Sequence, residues 1–151
     1  MDQEEFRRTY RDVNERYCAY EKSFLTNECR CSQAERFCIA EREGVRCRDD
    51  DAQAQCIEVL ALLREAARFA LKSSSEDGVL PHGKAMKIQV GGLRGIRAAV
   101  DPESVTSAAV DDVHGLLCRA REAFGSLAAL PYSEIMREVA AYQVKKRSRR
   151  K

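Results

Sequence analysis

The chain lacks any apolar stretch long enough to cross a membrane. Its longest apolar run lies between Ile57 and Leu63 and is interrupted by Glu58, whereas a spanning helix needs about 20 predominantly apolar residues. The first five residues are polar and acidic, so they lack the basic and apolar regions of a secretory signal. We therefore expect a soluble, cytoplasmic protein with no membrane association.

The sequence also has few of the residues that common enzyme sites require. Its only histidines, His82 and His114, lie far apart and form no recognisable ligand pair. His82, in a Pro-His-Gly-Lys loop, is the stronger functional candidate, although a surface role is favoured. The glycines at 91, 92 and 95 lack the order of a dinucleotide-binding loop, so they indicate close helix packing or a bend. We find no Ser/His/Asp arrangement, which makes an enzyme the weaker interpretation.

Strand patterns are scarce, and helical periodicity dominates. The predicted helices cover residues 4–24, 32–42, 52–72, 86–100, 101–124 and a last one from about 133. Residues 86–90 alternate like a strand, but no other convincing strand exists to pair with them. The sequence predicts one all-α domain over residues 1–144, a compact bundle of five or six helices. Its Cys-rich segment, residues 18–56, lies between the first and third helices.

Capping residues mark the ends of these helices. Ser32 and Glu35 form a capping box for the second helix. The acidic triplet that starts at Asp49 offers both an N-cap and a favourable charge for the third. Asp101, followed by proline, is a good N-cap for the fifth. The predicted helix stops are Asn27, Gly44 and Gly125.

The most distinctive feature of the sequence is a cluster of cysteines. Six of the seven cysteines fall within 39 residues, in the spacing Cys18-x10-Cys29-x-Cys31-x6-Cys38-x8-Cys47-x8-Cys56. Clustered thiols in a reducing compartment favour metal or redox chemistry over structural disulfides. The most compact set of four, which we predict to be the metal ligands, is Cys29, Cys31, Cys38 and Cys47. Cys18 and Cys56 are possible substitutes or supporting residues on the flanking helices.

Both an iron–sulfur cluster and zinc are compatible with such ligands, and the cluster is slightly preferred. Structural zinc sites normally contain Cys-x2-4-Cys pairs, which are missing here, whereas a larger cluster can gather ligands from several elements. The chain would then be a regulatory or accessory module for a protein partner that the sequence does not identify. The alternatives are a thiol-based redox sensor, a cluster-dependent enzyme, or cysteines that simply pack as small apolar groups. Packing is the preferred interpretation for Cys118.

The C-terminus is a run of basic residues that we expect to be a disordered tail. It contains Lys145, Lys146, Arg147, Arg149, Arg150 and Lys151, and without it the formal net charge falls from +2 to −4. Such a tail suits weak, non-specific contact with nucleic-acid phosphates or an acidic protein surface. A merely solubilising terminus is an equal alternative.

Overall fold

The computed structural model describes residues 14–70, 82–104 and 109–143. In chain order the elements are helix α1 (Glu21–Leu25), strands β1 (Ala34–Ile39) and β2 (Arg42–Cys47), helices α2 (Asp50–Ala70) and α3 (His82–Met86), a π-helical turn (Lys87–Gly91), helices α4 (Gly92–Val100) and α5 (Val113–Phe124), a 3-10 turn (Leu127–Ala129) and helix α6 (Tyr132–Ala141). The prediction of an all-α fold is therefore wrong. Helices dominate the described chain, but a two-stranded antiparallel sheet stands within the Cys-rich segment.

Strands β1 and β2 form a hairpin in place of the predicted helix over residues 32–42. Their register runs from Ala34 opposite Cys47 to Ile39 opposite Arg42. The two loop residues, Ala40 and Glu41, have φ values of 46° and 73°, which is the backbone of a type I′ turn. The helix prediction and its stop at Gly44 are wrong because pairing with β2 overrides the local capping signal.

The chain before α1 runs alongside β2 and is not helical. The Cys18 N–H donates to the Val45 carbonyl at 3.0 Å, and the Cys47 N–H donates to the Arg16 carbonyl at 2.6 Å. The predicted helix over residues 4–24 is therefore wrong for residues 14–20, while residues 4–13 lie outside the described chain. Asn27, with a φ of 62°, follows α1 where a helix stop was predicted.

Helix α2 confirms the predicted helix over residues 52–70, and the last two predicted residues, 71 and 72, lie outside the described chain. The Asp49 carboxylate accepts the Ala52 N–H at 2.8 Å, which caps the helix as expected. Two further acidic residues in the first turn complement the helix dipole. The buried face of α2 consists of Ala52, Gln55, Val59, Leu60, Leu63 and Ala67.

Helix α3, the π-helical turn and α4 follow one another without interruption, so the helical reading of residues 86–100 is confirmed. A Cβ on Gly91 would lie 2.6 Å from the Cα of Val139, and one on Gly95 would lie 2.9 Å from the Cα of Ile135. Only glycine permits helix α6 to come this close. The predicted close packing at these glycines is confirmed.

Helix α5 begins later than the sequence indicated. Asp101 follows the end of α4 and accepts the Glu103 N–H in a local turn at 3.3 Å, so the N-cap assigned to it is wrong. Asp112 precedes the first residue of α5. Gly125, at a φ of 88°, ends α5 as predicted. Residues 105–108 lie outside the described chain.

The main core lies between α2, α4, α5 and α6. Its largest fully buried aliphatic side chains are Val59, Leu63, Leu93, Ile96, Val113, Leu116, Leu117, Ile135 and Val139. Tyr20 and Cys29 from the Cys-rich segment belong to the same cluster. Within the described ranges, no helix is long and apolar enough to span a membrane.

Candidate cysteine site

Five cysteines from separate parts of the chain line one small cavity. They are Cys18 before α1, Cys29 and Cys31 after it, Cys47 at the end of β2 and Cys56 in α2. The cavity measures about 20 Å³, which is room for about one water molecule. Thiols that are spread over 39 residues of sequence therefore line the same cavity.

Backbone contacts with the helical body fix the loop that carries Cys31. The Arg30 N–H donates to the Val110 carbonyl at 2.8 Å, and the Val113 N–H returns a bond to the Arg30 carbonyl at 2.9 Å. The Ser32 N–H donates to the Asp112 carboxylate at 2.9 Å. The loop is thus held against the start of α5, where Cys31 faces the end of β2 and the second turn of α2.

The thiols interact with one another to different degrees. Cys56 lies within electrostatic range of the other four, and its interaction is strongest with Cys31, followed by Cys18 and Cys47, and weakest with Cys29. Cys18 in turn interacts with Cys31 and Cys47. Cys18, Cys31 and Cys56 therefore interact with one another, and Cys29 and Cys47 each interact with all three.

Three of these cysteines form a hydrogen bond with the backbone two residues later in the chain. The Cys18 sulfur accepts the N–H of Tyr20, and the Cys31 sulfur accepts the N–H of Gln33 and that of His114. The Cys47 thiol donates to the Asp49 carbonyl at 3.2 Å. An N–H that points at a sulfur stabilises the thiolate and fixes its direction.

Burial opposes ionisation of these thiols. It raises the pKa of Cys18 to about 12, with smaller contributions from the neighbouring thiols. Burial likewise raises the pKa of Cys29, Cys31 and Cys56 above its ordinary value. Cys18, Cys29, Cys31 and Cys56 are therefore protonated at neutral pH. Because the thiolate is the nucleophile, they react slowly with oxidants, whereas a bound cation would displace the protons.

The structure brings together three of the four predicted ligands, Cys29, Cys31 and Cys47, and adds Cys18 and Cys56. Cys38 is exposed on β1, opposite Glu43, and it does not line the cavity. In the described part of the chain, no three Cys, His, Asp or Glu side chains stand in an arrangement ready to hold a metal ion. Ligation would require the thiols to close further around the cavity.

His114 also lines the cavity, although the sequence favoured His82. Its Nε2 lies 3.7 Å from the Cys118 sulfur, and the Gln55 amide lies 3.8 Å from the same sulfur. The i, i+4 spacing of His114 and Cys118 was the sequence signal for this pair. Cys118 is partly buried beside the site, whereas His82 is exposed at the first residue of α3.

No family model, curated protein or solved structure matches the chain. The geometry around the cavity is therefore the basis for assigning a function. The basic residues 145–151 lie outside the described chain.

Proposed function

We propose that this chain is a small cytoplasmic metal-binding protein in which four cysteine thiolates hold one metal ion. The observation that carries the proposal is the convergence of five cysteines, drawn from two loops, a strand and a helix, on a single small cavity. The metal would join the loops beside β2 to helix α2. A site that ties these elements together suits a regulatory or accessory module better than an enzyme.

The ligands that we propose are Cys18, Cys31, Cys47 and Cys56. Cys18, Cys31 and Cys56 lie within electrostatic range of one another and of Cys47, and the Cys18 and Cys31 sulfurs accept backbone N–H groups. Partners that orient a ligand are typical of protein metal sites. Cys29 differs, because only 2% of it is exposed and its backbone pairs with Val110. We assign Cys29 to the core that supports the site.

Zinc is the metal that the cavity favours. Four thiolates suit tetrahedral zinc or a single iron ion, and a space of about 20 Å³ matches one ion. An iron–sulfur cluster, which the wide cysteine spacing favours, needs more room for its inorganic core. A cluster is therefore our second candidate, and it requires a larger opening of the cavity.

Metal analysis of protein purified under reducing, anaerobic conditions tests the proposal. We expect about one zinc per chain and loss of that zinc when Cys31 or Cys56 is changed to Ser. Cys38→Ser is the matched control, since this exposed thiol lies away from the cavity, and it should retain the metal. A brown protein that contains iron and sulfide would select the cluster. Wild-type protein that binds neither metal after reconstitution would contradict the proposal.

We also propose that the tail, residues 145–151, provides a weak and non-specific contact with nucleic acid. Six positive charges in seven residues support this, since each neutralised phosphate contributes about 0.9 to the slope of log affinity against log salt for duplex DNA. Truncation after Val144 should abolish binding without unfolding the protein. Binding that survives the truncation would exclude the tail as its source.

A further inference from the structure

Besides Nε of Arg46, two buried polar atoms beside the cavity have no hydrogen-bond partner within the described chain, the hydroxyl oxygen of Tyr20 and Nδ1 of His114. Both residues line the cavity, and Tyr20 is only 1% exposed. Buried polar groups in folded proteins are nearly always hydrogen bonded, because they have given up water. We therefore expect the Tyr20 hydroxyl to have a further hydrogen-bond partner.

The neighbours of the Tyr20 hydroxyl narrow the choice of partner. It lies within electrostatic range of Cys56, then Cys29, Tyr132 and Cys18. The Tyr132 hydroxyl, which donates to the Leu127 carbonyl at 2.6 Å, forms no hydrogen bond with Tyr20. The remaining neighbours are thiols, which are weak acceptors while protonated. A thiolate is a charged acceptor, and hydrogen bonds to charged groups are roughly twice as strong as neutral ones.

We propose that the Tyr20 hydroxyl donates a hydrogen bond to the thiolate of Cys56 once the metal is bound, and so acts as a positioning residue for the metal site. This inference rests on the proposed function. Metal binding displaces the Cys56 proton and creates the acceptor that Tyr20 lacks. His114 is the second donor. When its Nε2 accepts the Cys118 S–H, its buried Nδ1 carries a hydrogen that has no partner within the described chain.

The proposal requires Tyr20→Phe to act in opposite directions on the two states of the protein. Without metal, the variant removes an unsatisfied hydroxyl, so its midpoint of urea unfolding should be equal to or above that of the wild type. With zinc, the variant loses a bond to a ligand, so zinc affinity should fall about 10- to 100-fold. A purely structural role would shift both states in the same direction.

Cobalt provides a readout that packing alone does not move. A hydrogen bond lowers the energy of the sulfur lone pair, so its loss should shift the thiolate-to-Co²⁺ charge-transfer band to longer wavelength in Tyr20→Phe. Tyr132→Phe is the matched control. Its hydroxyl has a backbone partner, so this variant should lower the stability of metal-free and metal-loaded protein alike and leave the cobalt band in place.

The outcomes separate the inference from the proposed function. Wild-type protein that binds neither zinc nor cobalt would refute both. Wild-type protein that binds metal, together with a Tyr20→Phe variant of unchanged zinc affinity and cobalt spectrum, would refute the inference alone. A variant that is destabilised equally with and without metal would show that the hydroxyl has another partner, such as a water molecule, and would also overturn the inference.

Discussion

The Cys-rich region, residues 14–49, and the helical body, residues 50–70, 82–104 and 109–143, are stabilised in different ways. In the body, large aliphatic side chains are fully buried on four helices. In the Cys-rich region, the large side chains that are fully buried are Tyr20 and Val45. Burial of a few such groups offsets only part of the entropy cost of ordering a backbone, about 1–2 kcal/mol per residue. We therefore expect the body to fold on its own apolar surface, whereas the Cys-rich region needs a further source of stability.

Buried polar contacts connect the two regions. The Arg94 guanidinium lies 3.1 Å from the Glu28 carboxylate and stacks over the Tyr142 ring at 5.1 Å. The Ser23 hydroxyl donates to the Gln89 side-chain oxygen at 2.7 Å. Such bonds specify how the Cys-rich region docks, in addition to the apolar contacts that Tyr20 and Cys29 make in the main core.

The largest expected effect comes from removing the metal that we propose. A structural zinc site contributes about 10–16 kcal/mol of apparent binding free energy at neutral pH, so its loss should open the Cys-rich region while the helices of the body persist. Hydrogen exchange of chelated, fully reduced protein would measure this. We expect faster exchange in residues 14–49 and little change in α2 and α4. Unchanged protection of residues 14–49 would show that the two regions do not differ in this way.

A cavity in the core should affect the whole molecule. Leu63 is fully buried and its side chain fills the space beside Gly92. Leu63→Ala should lower the free energy of unfolding by about 2–5 kcal/mol, as measured by urea denaturation. On the same helix, Phe69 is 79% exposed, and Phe69→Ala should change stability by no more than about 0.5 kcal/mol. Equal losses in the two variants would contradict the assignment of the core.

Breaking the ion pair between the regions should have a smaller effect. Arg94→Met leaves the buried Glu28 carboxylate without its guanidinium partner, so we expect a loss of about 3 kcal/mol. Arg48 and Glu35 form an exposed pair at 3.6 Å, and Arg48→Met should cost less than about 1 kcal/mol. Thermal unfolding of both variants would measure the difference. A similar small loss in both would show that the buried pair contributes little to docking.

Glu21 gives the Cys-rich region a pH dependence of its own. Burial raises the pKa of its carboxyl from 4.5 to about 7, against the opposing effect of the Val45 N–H. Between pH 4.5 and about 7, the folded protein retains the Glu21 proton whereas the unfolded chain releases it. The stabilisation is therefore complete below pH 4.5 and is lost as the pH rises through 7. Because Glu21 is only half-buried, we expect solvent to limit the effect to about 1 kcal/mol.

Comparison of Glu21→Gln with the wild type isolates this effect. The variant should unfold at a urea concentration that varies less with pH between 4.5 and 7. Other carboxylates contribute equally to both proteins and cancel in the difference. Identical pH profiles would show that the Glu21 carboxyl has the same pKa in the folded and unfolded states.

The smallest expected effect concerns the hairpin turn. Glu41 has a φ of 73°, a conformation that glycine adopts without steric cost. Glu41→Gly should therefore stabilise the hairpin by up to about 1 kcal/mol. Glu43→Gly, two residues later within β2, should instead destabilise it, since glycine weakens the interior of a strand. Stabilisation by both changes would contradict the assigned turn.

The sequence predicted the body better than the Cys-rich region, and the difference has a physical cause. Helices α2 and α6 follow aliphatic stripes that decide both their conformation and their buried face. The hairpin has no such signal, because β1 contains Ala, Glu and Arg, which favour helices, and its turn lacks the usual Asn-Gly. Strand β1 forms because it pairs with β2, and β2 also pairs with the chain at Tyr17. A local sequence pattern does not reveal these pairings.

For the same reason, the sequence did not reveal which cysteines line the cavity. The concentration of thiols in residues 18–56 indicated where a site would form, but the choice of cysteines depends on the hairpin. Cys38 lies four residues beyond the cavity-lining Ala34 on β1, so at about 3.3 Å per residue it is about 13 Å away. Cys18 reaches the cavity because its segment runs beside β2, and Cys56 because Asp49 fixes the start of α2.

The π-helical turn between α3 and α4 gives this part of the chain a strict requirement for length. Such a turn contains one residue more than an α-helical turn, and each residue of an α-helix advances by about 100°. The added residue lets one continuous helix point Met86 and Val90 toward Tyr142, in a cluster of their own, and Leu93 and Ile96 toward the main core. Deletion of one residue would rotate one half against the other by about 100°. Substitutions here can preserve that angle, whereas insertions and deletions cannot.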